Sequence, residues 1–350
     1  MSEAGRILMD QLLTGRADEG LAEFLRYENV AWYQDGAVRI LDRRKYPTET
    51  TYVSCTSVEE VRDAIHDMVT QSGGVKIAAF QALRLHAHQA GGLNSGEEIE
   101  GLRHAAQIVA NARPTTAPQV MQMLGSIIDK AANMDASLPF AAAVDQAVME
   151  AMNKRYHDFR VIASYIVDQL PDHPRILTHC FAELLIGFVL LIAKERGLCL
   201  ELICTETRPY LQGARFTSTV GVQTGVPVTL ITDGMPGALM SEGKVDAVIT
   251  AADVISMDGY VANKVGTYQI AALAHRHHIP YYVGGYPSTK HPFGKDIVIE
   301  KRDPEDVLKV DGKRIAPLGV KGYYPAFDIT PPELVTAIST VDGLKGPNEL

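Results

Sequence analysis

Apolar residues along this chain follow two rhythms in succession. From residue 57 to 167 they recur every three or four positions, in Val58–Val69, Ile77–Gly91, Glu97–Ala112, Val120–Ala132 and Leu138–Val167. That is the one-sided stripe of amphipathic helices. Pro118 lies between two of these segments and suits a helix start. Upstream, Val30–Tyr33 and Ala37–Leu41 flank Gln34-Asp35-Gly36, and two such runs about Asp-Gly predict a hairpin. At the Pro-rich stretch Leu170–Pro174 the rhythm changes. Beyond it, short runs predicted as strands (Arg175–His179, Cys199–Thr205, Val226–Ile231, Ala247–Thr250, Tyr281–Gly284) alternate with segments predicted as helices (Ala182–Arg196, Tyr210–Thr224, Met235–Glu242, Ala262–His277). Alternation at this spacing implies right-handed βαβ units and a parallel sheet. The expected architecture is α/β. Residues 1–170 form a small N-terminal β element plus a helical bundle, and residues 171–350 form a doubly wound, Rossmann-like parallel sheet. No Gly-x-Gly-x-x-Gly follows the first of these strands, so the sheet carries no dinucleotide fingerprint.

Composition narrows the class. With 350 residues, 46% of them hydrophobic and 21% charged, the chain can bury a sizeable core. The 33 Lys and Arg against 42 Asp and Glu leave a net charge of −9, which argues against a nucleic-acid partner. Its longest apolar run, Phe181–Ala193, is interrupted by Glu183 and falls short of the ~18–20 residues of a membrane span. Met1–Arg6 leads into an amphipathic stretch unlike a signal peptide. A cytoplasmic protein without membrane or nucleic-acid partners is expected. Cys55, Cys180, Cys199 and Cys204 lack paired zinc spacing. His86/His88 and His275–His278 lack the i, i+4 spacing of a chelating pair, so no metal is expected.

Ligands of open parallel sheets bind outside the carboxyl ends of the strands. Those ends hold informative residues. Thr178-His179-Cys180 runs straight into a predicted helix, where a thiol is either activated by the helix start or simply buried. Glu206-Thr207-Arg208-Pro209 with Gln212 and Arg215 suits an anion or an ion pair that caps the helix. Asp253 follows Ala251-Ala252, which predicts an apolar pocket and a raised pKa as a general acid needs, or an N-cap. Asn263-Lys264 opens the next predicted helix. Together these residues suit proton transfer on an anionic small molecule.

At Glu206-Thr207-Arg208-Pro209-Tyr210-Leu211-Gln212-Gly213-Ala214-Arg215 the chain resembles the initiation-factor-2B-like sugar-phosphate isomerases. Thr178–Cys180, Ala251–Asp253, Val261–Tyr268 and Tyr324–Pro332 resemble further motifs of that family. Within the family, the branch acting on methylthioribose 1-phosphate fits best, over residues 29–340. The resemblance implies that Cys180 and Asp253 are the catalytic pair. It further implies that Arg113 (in Ala112-Arg113-Pro114-Thr115), Gln212, Asn263 and Lys264 hold a sugar phosphate, in a homodimer without metal or organic cofactor. Conversion of a 5-modified ribose 1-phosphate, either S-methyl-5-thioribose 1-phosphate or 5-deoxyribose 1-phosphate, to its ribulose 1-phosphate is expected. Alternatives within the family are ribose-1,5-bisphosphate isomerase and a non-catalytic initiation-factor-2B-like regulatory subunit. One loop departs from the pattern. Where the family carries a phosphate-binding Arg-Gly-Ala-Pro-Ala-Ile, this chain has Gln71-Ser72-Gly73-Gly74-Val75-Lys76-Ile77. Gly73 and Gly74, with N–H groups exposed beside Lys76, are expected to cradle phosphate instead.

Overall fold

The computed structural model describes residues 15–92, 96–113, 117–135, 137–310 and 312–350. Met1–Arg6 and the Pro114-Thr115 part of the arginine motif lie outside them. The chain packs as two compact units, Met1–His157 and Asp158–Leu350. The division falls inside the helix Phe140–Val167, ahead of the Leu170–Pro174 stretch.

In the first unit, β1 (Ala31–Gln34), β2 (Ala37–Leu41) and β3 (Tyr52–Cys55) form an antiparallel sheet. The predicted hairpin is present. Asp35 and Gly36 adopt φ of 50° and 83°, the left-handed pair that a two-residue hairpin turn requires. The strand β3 has no counterpart in the sequence-based expectation. Five helices follow: α1 (Val58–His66), α2 (Gly74–Ala90), α3 (Gly96–Ala110), α4 (Ala117–Ala132) and α5 (Phe140–Val167), each within one of the predicted segments or close to it. Ser57 accepts the Glu60 N–H at the start of α1, so capping as well as periodicity fixes that start. Helix α2 is buried almost all round. Its Arg84 is buried too, paired to Asp145 at 2.7 Å and stacked 4.8 Å from the Trp32 ring.

The second unit contains a seven-stranded sheet in the order β16-β15-β10-β7-β4-β5-β6. Its strands are β4 (Arg175–Thr178), β5 (Glu201–Thr205), β6 (Val228–Ile231), β7 (Ala247–Ala251), β10 (Tyr281–Gly284), β15 (Ala337–Thr340) and the edge strand β16 (Gly343–Lys345). All neighbours pair in parallel except β15 with β16. Counted from β4, the six parallel strands run 3-2-1-4-5-6, the doubly wound order, whose direction reverses between β4 and β7. Leu177, Ile203, Ile231, Val248, Val283 and Ile338, one from each parallel strand, belong to one core cluster. Helix α6 (Leu184–Glu195) is apolar all round and buried through Ala193, as a helix enclosed by protein must be. A π-turn (Gly213–Thr217) leads into α7 (Ser218–Thr224). Helix α8 spans Pro236–Ser241 and α9 spans Thr267–Arg276.

Two expectations need correction. The segment predicted as a helix from Tyr210 becomes helical only at Gly213. A Cβ on Gly213 would overlap the Thr205 carbonyl oxygen, so this close approach requires glycine. Asn263-Lys264 does not open a helix. It ends a strand, β9 (Val261–Lys264), which pairs with β14 (Phe327–Thr330) and β8 (Val254–Ser256); β11 (Pro287–Ser288) completes this small second sheet. Long-range pairing overrides local propensity there. Gly266, at φ 107°, breaks the chain before α9. A short hairpin of β12 (Lys309–Val310) and β13 (Lys313–Arg314) completes the strands.

Candidate functional site

The geometry of the sheet places the two candidate catalytic residues side by side. Cys180 follows β4 and Asp253 follows β7, and these strands pair at Ile176↔Ala247 and Leu177↔Val248. They are the strands between which the order reverses, where doubly wound sheets leave a crevice at their carboxyl ends.

Cys180 is held by its backbone. Its φ is 64°, an uncommon conformation for a side chain with a Cβ. Its N–H donates to Thr207 Oγ1 at 3.0 Å, and its carbonyl accepts from Thr217 Oγ1 at 2.5 Å. The adjacent His179 is buried. Its Nε2 lies 2.9 Å from the Val265 carbonyl and its Nδ1 2.6 Å from Thr205 Oγ1. A carbonyl can only accept, so Nε2 carries the proton and Nδ1 accepts from the threonine. Burial lowers the imidazole pKa and keeps it neutral. Asp233, after β6, accepts the N–H groups of Thr207 and Arg208 at 2.8 and 2.7 Å. Arg208 itself donates to the carbonyls of Val307 and Lys309. It therefore anchors another segment, while its charge also acts on Glu206.

The electrostatics revise the expectation for both candidate residues. Cys180 is not at a helix start, since α6 begins at Leu184. Burial pushes its thiol up to about 11, and the nearby Asp253 charge adds to the rise. Lys264 and Arg302 oppose it. Asp253 is exposed and so does not sit in an apolar pocket. Its N–H closes a bond of 2.9 Å to the Ala262 carbonyl, fixing the turn between β7 and β8.

Asn263 and Lys264 are buried on β9. Asn263 Nδ2 donates to Thr267 Oγ1 at 3.1 Å. Lys264 Nζ stands 4.9 Å from the Phe327 ring centre, and burial pulls its pKa down. Gln212 is buried beside the π-turn. Asp328 accepts the N–H groups of Gly266 and Tyr268 at 2.6 and 3.1 Å. Burial lifts its carboxyl to about 6 even against those two donors. Arg302, Glu300 and Tyr324 also belong to the electrostatic surroundings of Cys180 and Lys264. No role was expected for them, although Tyr324 opens the Tyr324–Pro332 motif.

The first unit holds the other expected phosphate ligands. Gly73 precedes α2, Gly74 begins it and Lys76 lies in its first turn, half-buried. The expected exposure of glycine N–H groups is not what the turn shows. Gly73 and Gly74 are both buried, and Gly74 N–H donates to Gln71 O at 3.1 Å. Arg43 Nη1 donates to the same carbonyl at 2.6 Å. Arg113 directs Nε and Nη2 to the Ile65 carbonyl and Nη2 to that of Thr70, all at 3.1–3.2 Å. Its fork grips the backbone that leads into the turn. Among the described residues, no three His, Cys, Asp or Glu side chains are grouped to hold a metal ion, and no helix is long and apolar enough to cross a membrane.

Comparison with known proteins adds to this geometry. The chain is 38% identical over 318 residues to the methylthioribose-1-phosphate isomerase of Anaeromyxobacter sp. (strain K), covering 88% of this chain and 90% of that one. Against the same-named protein of Thermosipho africanus it is 38% identical over 340 residues, covering 92% and 96%. The crystal structure of 5-methylthioribose 1-phosphate isomerase from Pyrococcus horikoshii OT3 superposes with a TM-score of 0.78 at 31% identity, over 94% of this chain and 95% of that one. A structure described as the translation initiation factor eIF-2B, subunit delta, from A. fulgidus gives 0.76 at 32% identity, over 90% and 94%. Residues 69–347 match the Initiation factor 2 subunit family, and the chain belongs to that family.

Proposed function

We propose that this protein is an aldose–ketose isomerase that converts a 5-modified ribose 1-phosphate, S-methyl-5-thioribose 1-phosphate or 5-deoxyribose 1-phosphate, to the ribulose 1-phosphate. The observation that carries this reading is the placement of Cys180 and Asp253 on the two strands flanking the reversal point, with the buried cation Lys264 in their electrostatic reach. Relatives named for isomerases of this kind support it. The substrate carries phosphate on its anomeric carbon, so opening the ring must break the C1–O4 bond directly. Asp253, protonated, gives its proton to O4. The Cys180 thiolate takes the proton from C2, and the electron pair forms the C1=C2 bond of an enol phosphate. The Cys180 thiol then returns a proton to C1, O2 loses its own proton through water to Asp253, and the C2 carbonyl forms. A thiol raised to about 11 and an ionised carboxylate must first exchange one proton, Cys180 to Asp253, to reach the reactive pair. Lys264, which draws the thiol down, favours that exchange.

Gln212, Asn263 and Lys264 hold the sugar phosphate in this reading; of the other expected ligands, Arg113 and the Gly74 N–H already end on backbone carbonyls, which leaves Lys76 as the phosphate ligand of that turn. We assign the protein to the cytoplasm as a homodimer without metal or organic cofactor. A second reading, a non-catalytic regulatory subunit, is favoured by the near-equal likeness to the A. fulgidus protein. Turnover separates the two. Incubation with methylthioribose, 5-deoxyribose and unmodified ribose 1-phosphates and with ribose 1,5-bisphosphate, followed by NMR, is expected to show ketose signals from a 5-modified substrate. Conversion of the bisphosphate alone would move the assignment to that isomerase, and no conversion of any would leave the regulatory reading.

A further inference from the structure

One group of residues beside Cys180 has no part in the steps above. Val265 N–H donates to the Ala326 carbonyl at 3.2 Å, while the Val265 carbonyl accepts from His179. Phe327 pairs with Lys264 in the small sheet. On the far side of residues 324–326, Arg302 N–H donates to the Tyr324 carbonyl at 3.0 Å and Ala326 N–H to the Glu300 carbonyl at 2.8 Å. The His179 side chain and these backbone hydrogen bonds thus link Arg302 and Tyr324 to the loop that carries Cys180, and both lie within electrostatic reach of its thiol.

Their side chains are left incomplete. Glu300 Oε1 accepts from Arg302 Nε at 3.1 Å, and the guanidinium stands 5.6 Å from the Tyr210 ring centre. The two Nη atoms find no protein acceptor among the described residues. Tyr324 is 4% exposed, and its Oη has no hydrogen-bond partner among the described residues. A buried hydroxyl without a partner destabilises the folded chain, and phenylalanine in its place would not. A buried group left unmet in this way calls for a partner that the folded chain does not supply, and a bound ligand is one such partner.

We propose that Arg302 and Tyr324 bind the 2-hydroxyl oxygen of the sugar and stabilise the negative charge that gathers on it as C2 becomes a carbonyl. The proposal rests on the isomerase reading above. O2 is one bond from C2, the carbon from which Cys180 takes its proton, so donors beside Cys180 reach O2 before either end of the sugar. As O2 gives up its proton, the O–H electron pair becomes the second bond of C2=O. Arg302 and Tyr324 accept nothing in that step. They donate hydrogen bonds to the oxygen as its charge grows, and they are set in place beforehand. Burial raises the phenol's pKa, so it remains a donor, and Glu300 fixes the direction of the guanidinium fork.

The test compares activity with stability. Tyr324→Phe removes one oxygen. It is expected to lower kcat about ten-fold or more, to leave KM within about two-fold, and to keep or raise Tm. Arg302→Lys keeps the charge without the fork and is expected to lose about 10²-fold in kcat. Both variants are expected to bind 2-deoxyribose 1-phosphate, which has no O2, as the wild type does. Undiminished turnover by Tyr324→Phe overturns the proposal, and so does a loss of activity matched by a lower Tm and weaker binding of the 2-deoxy compound. If the unmutated protein converts no ribose 1-phosphate, the isomerase reading itself fails, and that result is seen without any variant.

Discussion

The turn at residues 70–76 and the carboxyl edge of the parallel sheet both collect cations and N–H donors, but they use them differently. In the turn, Arg43 and Arg113 end on the carbonyls of Gln71, Ile65 and Thr70, and Gly74 N–H ends on Gln71. At the sheet edge, Lys264 Nζ makes no hydrogen bond among the described residues, Arg302 uses only Nε, and Tyr324 Oη donates to nothing. Charge-assisted bonds to carbonyls are worth about 1.5–3 kcal/mol each, so the turn's arginines stabilise the fold. The buried Tyr324 hydroxyl without a partner and the desolvated Lys264 ammonium at the sheet edge oppose folding. What tells a shaping cation from a binding one is therefore whether the protein already satisfies it, and the residue type alone carries no such information.

The largest effect is expected where that contrast is sharpest. Cys180→Ala and Asp253→Asn should each lower kcat by about 10²- to 10⁴-fold, the usual worth of a positioned acid or base, with Tm nearly unchanged. Steady-state kinetics with thermal melts checks this, and near-normal turnover by either folded variant removes that residue from the mechanism. Reactivity of the thiol gives a second large effect. With the thiol at about 11, its thiolate fraction at pH 7 is about 10⁻⁴ and grows about ten-fold per pH unit until it levels near 11. Iodoacetamide at neutral pH should therefore label exposed Cys199 well before Cys180. Faster labelling of Cys180 at pH 7 would show that its surroundings activate the thiol in spite of its burial.

Sequence periodicity went far in this chain because the decisive contacts are local. The five helices α1–α5, the Asp35-Gly36 hairpin and the strand–helix alternation all rest on residues within a few positions of one another. The place of Cys180 and Asp253 at strand ends was legible for the same reason, since the end of a strand can be read from its own run. Asn263-Lys264 was misread because β9 has only four residues, and its partner β14 lies some sixty positions downstream. Nothing between residues 261 and 277 announces that pairing. The high thiol pKa of Cys180 and the exposure of Asp253 depend on what surrounds them in three dimensions, which a motif does not record. Arg302 sits in the charged run Glu300–Asp303, a pattern normally solvated, and only backbone pairing to residues 324–326 brings it to the site.

A paired substitution sharpens the contrast at moderate size. Lys264→Met removes a buried charge with no hydrogen-bonded partner, which is often neutral or stabilising. It should keep or raise Tm while kcat/KM falls about 10- to 100-fold. Arg113→Met breaks two contacts to the Ile65 carbonyl, which also accepts the Met68 N–H, and one to the Thr70 carbonyl, and should cost about 2–3 kcal/mol of stability. Urea melts measure the second effect and kinetics the first. If Arg113→Met keeps its stability but loses substrate affinity, its guanidinium leaves the backbone for phosphate, and the contrast between the two regions collapses.

The smallest expected effect concerns Lys76. It is the one cation in the segment 70–77, half-buried in the first turn of α2, where the helix dipole also favours an anion. Gly74 N–H is already taken, so the cradle expected from two exposed glycine donors is reduced, and the ammonium is left with the larger share of any phosphate contact. An ammonium is a point charge without the two-pronged geometry of the arginine found in the family's loop, and partial exposure screens it. Lys76→Met should therefore raise KM about ten-fold, at the low end for a charge-assisted contact, and change kcat little, because the phosphate is bound equally in ground and transition states. The rise should be the same for methylthioribose, 5-deoxyribose and unmodified ribose 1-phosphates, which share the 1-phosphate and differ only at C5. A rise confined to one 5-substituent places Lys76 at the opposite end of the sugar. An unchanged KM with every active substrate reduces it to a solvated residue of the helix start, and leaves phosphate recognition to Gln212, Asn263 and Lys264.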